Sequence, residues 1–288
     1  MDERKQNSLK IAIASGKGGT GKTTLAANLA ALAARNGRKA VYVDCDVEEP
    51  NGHIFLNPHI EETRTVPVLI PQVDQEKCIQ CGKCQEICQY GAIVLIGEKV
   101  LVYPEMCHSC GGCLLVCPVG AISEITRPIG VVETGNGDTG VGFVQGRLNI
   151  GEKLAPPLIR AVKESIPEEQ LVIVDAPPGT SCPVIEAVQG ADYTILVTEP
   201  TPFGLNDLIL AVEMMRALKQ PFGVAINRAG LGYDEVRRYL EREQVANLAE
   251  IPDDRRIAEA YSVGKLAVDA VPEIKTIFQG LLSAIGAE

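Results

Sequence analysis

The stretch Gly16-Lys-Gly-Gly-Thr-Gly-Lys-Thr23 has the spacing G-x-x-x-x-G-K-T. It stands between an apolar run at residues 9–15 and a segment rich in alanine and leucine at residues 25–32. A strand, a glycine-rich loop and a helix, in this order, are the context that a phosphate-binding loop requires. The sequence therefore predicts a phosphate site at the start of the first long helix.

The residue types of this loop suit phosphate chemistry. Glycines allow backbone N–H groups to turn toward phosphate oxygens, and the positive end of the following helix faces the same anion. Lys22 is expected to reach the β- and γ-phosphates, and the Thr23 hydroxyl to coordinate Mg²⁺. The predicted nucleotide contacts in the loop are Gly16, Lys17, Gly18, Gly19, Thr20, Gly21, Lys22, Thr23 and Thr24.

Eight of the ten cysteines lie between Cys78 and Cys117 and repeat the spacing C-x2-C-x2-C-x3-C twice. This is the spacing of a two-cluster bacterial-type ferredoxin, in which the fourth cysteine of each run ligates the other cluster. The symmetry of the repeat predicts the same crossed ligation here. One cluster would take Cys78, Cys81, Cys84 and Cys117, and the other would take Cys107, Cys110, Cys113 and Cys88.

Two other interpretations of the cysteines are weaker. Disulfide frameworks belong to small secreted chains, and this chain opens with the polar residues MDERKQNS instead of the apolar core of a signal peptide. Structural zinc takes four ligands in two pairs, whereas two groups of four thiols fit cubane clusters better. The assignment as [4Fe-4S] follows from the resemblance to ferredoxins. Free thiols in such numbers also predict a reducing, cytoplasmic location.

Acidic residues end two further strand-like runs. Residues 39–46 are predicted as a buried strand that ends at Asp44 and Asp46, and residues 171–175 as a second one that ends at Asp175. The carboxyl ends of parallel strands are the edge at which doubly wound sheets bind ligands. We therefore expect these carboxylates beside the phosphate loop.

The rest of the chain alternates short apolar runs with stretches of helical spacing, which favours a parallel sheet with helices on both faces. The stretch 126–149, rich in glycine and valine, is predicted as a path of short strands. Strands are expected at residues 192–198, 222–227 and 245–251, and helices at 205–218, 233–243, 255–262 and 274–285. The predicted fold class is α/β, with a doubly wound, mostly parallel sheet and an inserted small α+β ferredoxin-like domain.

Lys17, directly after the first loop glycine, makes the form K-G-G-x-G-K-T. This form resembles the deviant Walker A loop of the MinD, ParA and nitrogenase iron protein group. The resemblance implies ATP as the ligand and a nucleotide-sandwich homodimer, in which Lys17 reaches the ATP of the partner subunit. A cation aimed at the γ-phosphate stabilises the charge of phosphoryl transfer. Lys17, Lys22 and Asp46 are therefore the predicted catalytic residues.

The same resemblance implies roles for residues elsewhere in the chain. Asp46 is the acid that positions the attacking water, while Asp44 and Asp175 organise Mg²⁺ together with Thr23. The adenine contacts are expected at Asn227, Arg228 and Pro252, and for Arg228 a surface salt bridge is an equal alternative to base stacking.

The resemblance covers nearly the whole chain and predicts a discontinuous ATPase. Its two parts are residues 1–73 and 124–288, and the two-cluster ferredoxin domain occupies residues 74–123. A net charge of −10 argues against a nucleic-acid partner. The chain has no apolar run near 18 residues, and its last segment has Lys275 as its one basic residue, so membrane binding is not expected.

Three functions are compatible with these features. The first is an ATPase whose dimer cycle controls electron flow through two [4Fe-4S] clusters to an unidentified acceptor protein. The second is an assembly or carrier ATPase for an iron-sulfur or metal cofactor, resembling Mrp-type proteins. The third is a positioning ATPase of the MinD sort that uses the clusters as a redox sensor. Eight thiolates in ferredoxin spacing favour the first function, because donated clusters usually occupy incompletely ligated sites.

Overall fold

The structure is a computed structural model that describes residues 8–167 and 171–287. The polar opening of the chain lies almost wholly outside this range. The strands are β1 (Leu9–Ala14), β2 (Ala40–Asp44), β3 (His59–Val73), β4 (Ile93–Ile96), β5 (Lys99–Val102), β6 (Ile122–Asn136), β7 (Gly142–Leu148), β8 (Leu171–Asp175), β9 (Tyr193–Thr198), β10 (Phe222–Ala229) and β11 (Asn247–Pro252). The helices are α1 (Lys22–Arg35), α2 (His53–Leu56), α3 (Lys83–Ile87), α4 (Gly112–Leu115), α5 (Ala155–Glu164), α6 (Cys182–Val188), α7 (Pro202–Leu218), α8 (Glu235–Arg242), α9 (Arg255–Ser262), α10 (Ala267–Ala270) and α11 (Pro272–Ala284).

The main sheet has nine strands in the order β11-β10-β9-β1-β8-β2-β7-β6-β3. Neighbours from β11 to β7 are parallel, while β6 and β3 are antiparallel additions at one edge. Strands β2 and β8 are buried at every position, as expected for parallel strands covered on both faces. The predicted α/β fold with a mostly parallel sheet is confirmed.

Helices cover both faces of the sheet and create two apolar cores. On one face, α1 and α11 bury Leu29 and Phe278 against the strands. On the other face, α5, α6, α7 and α8 bury side chains such as Leu158 and Met215. Helix α1 has ten buried residues, because its alanines let it approach the sheet closely. The first turn of α1 is therefore held rigidly against the carboxyl ends of the strands.

The antiparallel edge consists of two strands of 15 residues each, β3 and β6, which we call the ribbon. The expectation of short strands between residues 126 and 149 was wrong for β6. Its partner β3 precedes the cysteine-rich segment, so the pairing that extends β6 joins residues far apart in sequence. Local pattern does not reveal such a pairing. Pro67 lies opposite Pro128 at a register shift, where the ladder lacks two N–H donors.

Residues 74–121 lie between the two strands of the ribbon and are called the cysteine insert. It contains α3, the β4-β5 hairpin, a 3-10 helix at Pro104–Met106, and α4. A small core of its own is formed by Cys84, Ile93 and Val100, together with Ile122 at the start of β6. The ribbon is thus the structural connection between the insert and the main sheet.

The C-terminal helix α11 packs its apolar side against the main sheet. Ile274, Phe278, Leu281 and Leu282 are buried there. None of the helices within the described residues is long and apolar enough to cross a membrane.

Gly135 of the ribbon offers a test of the β3-β6 pairing. A Cβ added to Gly135 would lie against the backbone carbonyl of His59, whereas a Cβ on Gly280 in α11 would meet no atom within 4 Å. We expect Gly135→Ala to lower the free energy of unfolding by about 1–3 kcal/mol, because a backbone group must shift. Gly280→Ala should leave it unchanged or raise it by up to about 1 kcal/mol, because alanine is the better helix former. Urea denaturation of both variants measures the difference, and equal midpoints would contradict the pairing.

Candidate functional site

The phosphate-binding loop is held between β1 and the first turn of α1. Gly19 and Gly21 have φ values of 78° and 95°, a region that favours glycine. Gly16 packs directly on the backbone of Asp207 in α7, so a Cβ at this position would not fit. The Ser15 hydroxyl donates to the carbonyl of Lys17 at 2.6 Å. Neighbouring elements therefore determine the shape of the loop.

Lys22 begins α1 and is 7% exposed. Burial lowers its pKa, and the carboxylates of Asp175, Asp46 and Asp44 act in the opposite direction. An ammonium group held in this position faces the space above the loop, where it can neutralise phosphate charge. Thr23 follows it, and its hydroxyl lowers the pKa of Asp175, the effect expected of a hydroxyl and a carboxylate that share a cation site.

Asp44 and Asp175 lie side by side because the parallel register pairs them at the ends of β2 and β8. Both carboxyl groups are almost completely buried. Burial raises the pKa of both groups, and for Asp44 the neighbouring Asp175 raises it further. Asp44 accepts hydrogen bonds from the backbone N–H groups of Gly52 at 3.0 Å and Asp46 at 3.1 Å.

Tyr42 joins the two acids and was not found by the sequence analysis. Its hydroxyl donates to Asp175 Oδ2 at 2.8 Å and lies 3.4 Å from Asp44 Oδ2. The tyrosine is fully buried, and burial raises its pKa well above the ordinary value. The available signal was its position two residues before Asp44, since residues i and i+2 of a strand share a face.

Asp46 lies beyond the end of β2 and faces the same space as Lys22. Burial, followed by the charge of Asp175, raises its pKa to about 6. Asp46 and Lys22 both line a cavity of about 520 Å³ above the loop. Among the predicted nucleotide contacts, those that line this cavity are Gly18, Gly19, Gly21, Lys22, Thr23, Thr24, Asn227, Arg228 and Pro252.

Gly16, Lys17 and Thr20 of the predicted contacts do not line this cavity, nor do Asp44 and Asp175. The cavity also has an apolar part that the sequence analysis missed. It is lined by Ile257, Ala258, Tyr261, Ile274 and Phe278. A cavity lined by both charged and apolar side chains suits a nucleotide, which has charged phosphates and a largely apolar base.

Asn227 connects β10 to the phosphate loop. Its Nδ2 donates to the carbonyl of Thr20 at 2.8 Å, and its Oδ1 accepts from the backbone N–H of Arg228 at 3.0 Å. A Cβ at Gly21 would collide with the amide of Asn227. The side chain therefore supports the loop in addition to lining the cavity.

Lys17 does not line the cavity and forms an ion pair with Glu199, with 3.3 Å between Nζ and Oε2. Arg228 forms an ion pair with the other oxygen of the same carboxylate at 3.0 Å. Of the two alternatives for Arg228, the structure contains the salt bridge. Glu199 was not predicted as a site residue, although its position directly after β9 is the kind of strand end that supplied the other acids.

The cysteine insert contains two small cavities, each with one of the predicted sets of four cysteines. The first is lined by Cys78, Cys81, Cys84 and Cys117, and the second by Cys88, Cys107, Cys110 and Cys113. Tyr90 and His108 stack at the second cavity, with 3.5 Å between ring centroids. The described cysteines are all free thiols.

Backbone N–H groups point at several of these sulfur atoms. The Sγ atoms of Cys88 and Cys117 accept from Ala92 at 3.3 Å and Ala121 at 3.2 Å. Burial raises the pKa of Cys117. The backbone N–H groups, first that of Ala121, lower it by more than burial raises it, so the pKa lies below the ordinary value. Such donors favour the thiolate, which is the form that binds metals.

Within residues 8–167 and 171–287, no group of three or more His, Cys, Asp or Glu side chains is gathered closely enough to hold a single metal ion. This finding concerns one ion with all ligands around it. In a cubane cluster, each thiolate binds a different iron, so the four sulfur atoms stand farther apart. At the acidic edge, Mg²⁺ usually keeps several water ligands and takes few carboxylates.

Comparison with known proteins gives consistent results. The family model described as the CobQ/CobB/MinD/ParA nucleotide binding domain matches residues 11–268. An uncharacterized protein of Methanocaldococcus jannaschii is 30% identical over 261 residues, which cover 88% of this chain and 90% of that protein. An iron-sulfur cluster carrier protein of Pyrococcus horikoshii is 27% identical over 290 residues, with 91% and 80% covered.

Among solved structures, the septum site-determining protein MinD complexed with Mg-ADP, from Pyrococcus horikoshii, has a TM-score of 0.58. The alignment covers 96% of each chain at 21% sequence identity. At this level of identity the likeness is one of fold.

The hydroxyl of Tyr42 provides a test of the buried acid pair. Tyr42→Phe removes the donor to Asp175 and leaves a buried carboxyl group without it, so the free energy of unfolding should fall by about 1–3 kcal/mol. Tyr193→Phe is the matched control, because burial alone raises the pKa of Tyr193 and no hydrogen bond of its hydroxyl occurs among the described residues. Chemical denaturation compares the two. A loss in Tyr42→Phe no larger than in the control would show that the hydroxyl does not support the acids.

Proposed function

The chain belongs to the CobQ/CobB/MinD/ParA nucleotide-binding family, and on this premise we propose that it is a MgATP-hydrolysing ATPase coupled to electron transfer through two [4Fe-4S] clusters. The observation that carries the proposal is the pair of cavities in the cysteine insert, each lined by a complete set of four cysteines. The ferredoxin unit would occupy residues 74–123, between the two parts of the ATPase. The expected setting is the reducing cytoplasm.

The nucleotide part of the proposal rests on the cavity above the phosphate loop. Lys22 would neutralise the β- and γ-phosphates, and Thr23 and Asp175 would hold Mg²⁺, which supplies further positive charge to the phosphates. Asp46 faces the same cavity and orients the attacking water. The apolar side chains, such as Tyr261 and Phe278, accept the base, and Asn227 and Pro252 line the same cavity. ATP hydrolysis is a property of the family, whereas these individual roles are proposals.

The cluster part rests on the chemistry of the insert. Free thiols, backbone N–H donors aimed at Cys88 and Cys117, and a small apolar core fit ligands that bind as thiolates. When bound, [4Fe-4S] clusters accept and release single electrons at potentials that hydrogen bonds to sulfur adjust. The chain would then need an electron donor and an acceptor protein, and exposed Cys81 and Cys110 mark the side where each cluster is nearest to solvent.

A row of hydrogen bonds connects the nucleotide site with the ribbon. Val47 directly follows Asp46, and its carbonyl accepts from the N–H of Leu148 at 2.9 Å. Asn149, the next residue, donates from its backbone to Ile129 at 2.9 Å and from Nδ2 to the carbonyl of Pro128 at 3.1 Å. These contacts meet the ribbon where Pro128 interrupts its ladder. A movement of Asp46 on hydrolysis therefore has a physical route to the ribbon that carries the cysteine insert.

A carrier of iron-sulfur clusters or another metal cofactor is the second candidate. The 27% identity with an iron-sulfur cluster carrier protein favours it. Under this function the iron would be cargo, and the holoprotein mixed with an apo acceptor should lose its own iron as the acceptor gains it. Retention of the iron during ATP turnover would support electron transfer instead.

Substitution of a single cysteine tests the cluster sites. Anaerobically reconstituted protein should hold about eight irons per chain, and Cys84→Ser, which removes a ligand of the first cavity, should lose up to about half of them. Cys182→Ser is the matched control, because this exposed cysteine lines neither cavity. Iron and sulfide analysis with electron paramagnetic resonance of the reduced protein measures both. Equal iron contents in the two variants would contradict the assignment.

Coupling is tested by the rate of ATP hydrolysis with the clusters oxidised and then dithionite-reduced, with the Lys22→Ala rate subtracted as background. The two rates should differ by about fivefold or more, the ordinary size of coupling between two sites. Asn149→Ala removes the bond to Pro128 and should bring the ratio closer to one, while Asn36→Ala, at the exposed end of α1, should not. If the wild-type protein hydrolyses ATP at the same rate with oxidised and reduced clusters, the assignment would move toward cofactor assembly.

A further inference from the structure

Glu199 is a buried carboxylate between two cations. Its side chain is 9% exposed, whereas the side chains of Lys17 and Arg228 are 32% and 54% exposed. Each cation pairs with a different oxygen of the carboxylate, at 3.3 Å for Lys17 and 3.0 Å for Arg228. A carboxylate this far from solvent requires such compensation. Both ion pairs therefore depend on Glu199, which is the buried member of each.

The backbone around Glu199 is rigid. Its carbonyl accepts from the N–H of Thr201 at 2.8 Å, and the Thr201 side chain accepts from the N–H of Gly204, in the first turn of α7, at 3.0 Å. The Thr198 hydroxyl donates to the carbonyl of Gly204 at 3.0 Å. A Cβ at Gly204 would collide with the Glu199 carbonyl, so this turn admits no larger residue. The carboxylate is thus fixed at the carboxyl end of β9, beside the phosphate loop on β1.

Arg228 is also held in place, but by its backbone. Its φ of 52° lies in the left-handed region, where a non-glycine residue is strained. It occupies the register shift between β10 and β11. The Asn227 side chain accepts the backbone N–H of Arg228 and stabilises this conformation. Glu199 therefore keeps a positive partner even when Lys17 is elsewhere.

We propose that Glu199 is a positioning residue that holds Lys17 on its own subunit until two copies of the chain close around ATP. Closure exchanges the Lys17–Glu199 ion pair for a contact between Lys17 and the partner's ATP phosphates, and Arg228 continues to neutralise Glu199. The strength of the Lys17–Glu199 pair then sets the ATP concentration at which the dimer forms. This inference rests on the proposed role of Lys17 across a homodimer.

The ion pair itself is tested without nucleotide. Acylation of Lys17 by a water-soluble acetylating ester consumes the free amine, and the pair with Glu199 keeps Nζ from the reagent. Glu199→Gln should raise the rate of Lys17 acetylation by about twofold to tenfold, as measured by peptide mass spectrometry. Arg228→Gln should lower it, because the whole carboxylate is then available to Lys17. Glu243→Gln, which removes the partner of Arg216 at the surface, is the matched control.

The release step is tested by sedimentation velocity with increasing MgATP. Glu199→Gln should form the dimer at an ATP concentration about twofold to tenfold lower than the wild type, because no ion pair has to break. In a Lys17→Ala background the same substitution should have no effect, since the two residues act as a pair. Glu199→Asp keeps the charge but moves it one methylene further from Lys17. Its ATP requirement for dimer formation should lie between those of the wild type and Glu199→Gln, which guards against a folding defect in the glutamine variant.

The outcomes separate the inference from the function on which it rests. Unchanged acetylation in Glu199→Gln overturns the holding role, whatever the dimer does. Changed acetylation with an unchanged ATP requirement overturns the release role. A wild type that does not dimerise with ATP, or a Lys17→Ala variant that hydrolyses ATP at the wild-type rate, overturns the role of Lys17 itself.

Discussion

The parallel register of β2 and β8 is the constraint on which the nucleotide site depends. It places Asp44 directly opposite Asp175 at the carboxyl edge of the sheet, where neither carboxylate reaches solvent. Two such groups are tolerated only because donors converge on them, namely the Tyr42 hydroxyl and the backbone N–H groups of Gly52 and Asp46. Lys22 adds a nearby positive charge. The site therefore contains more buried acidic groups than basic ones, which suits a divalent cation and its phosphate ligands.

The ribbon gives this edge of the sheet a second role. Strands β3 and β6 extend the sheet antiparallel and carry the cysteine insert at their far end. Because Leu148 bonds to the residue after Asp46, and Asn149 bonds to the ribbon at Pro128, the loop that follows β2 and the ribbon share one set of hydrogen bonds. Rigid packing transmits small displacements better than a flexible linker would. An insertion between paired strands is thus a physically reasonable place for the proposed redox module.

Charge on the other side of the phosphate loop is organised differently. Lys22 is surrounded by acids inside the fold, whereas Lys17 lies at the surface and is held by Glu199. A buried lysine is fixed where it is needed within one subunit. A half-exposed lysine with a single fixed partner can leave it for a stronger anion at modest cost. The two lysines of the loop are therefore suited to different tasks by their burial.

Sequence alone determined the class of fold, the phosphate loop and the identity of the acids, because each follows from local pattern. Apolar runs with the right length predict parallel strands, and G-x-x-x-x-G-K-T between a strand and a helix predicts the loop. The cysteine spacing likewise predicted which four side chains line each cavity of the insert. Tertiary structure decided what depends on distant residues. The length of β6 comes from pairing with β3 across the insert, and Tyr42 became part of the site through the register of β8. Glu199, Lys17 and Arg228 lie at or just after the ends of three different strands, and their contact depends on the order of these strands in the sheet. No local sequence pattern indicates such a contact.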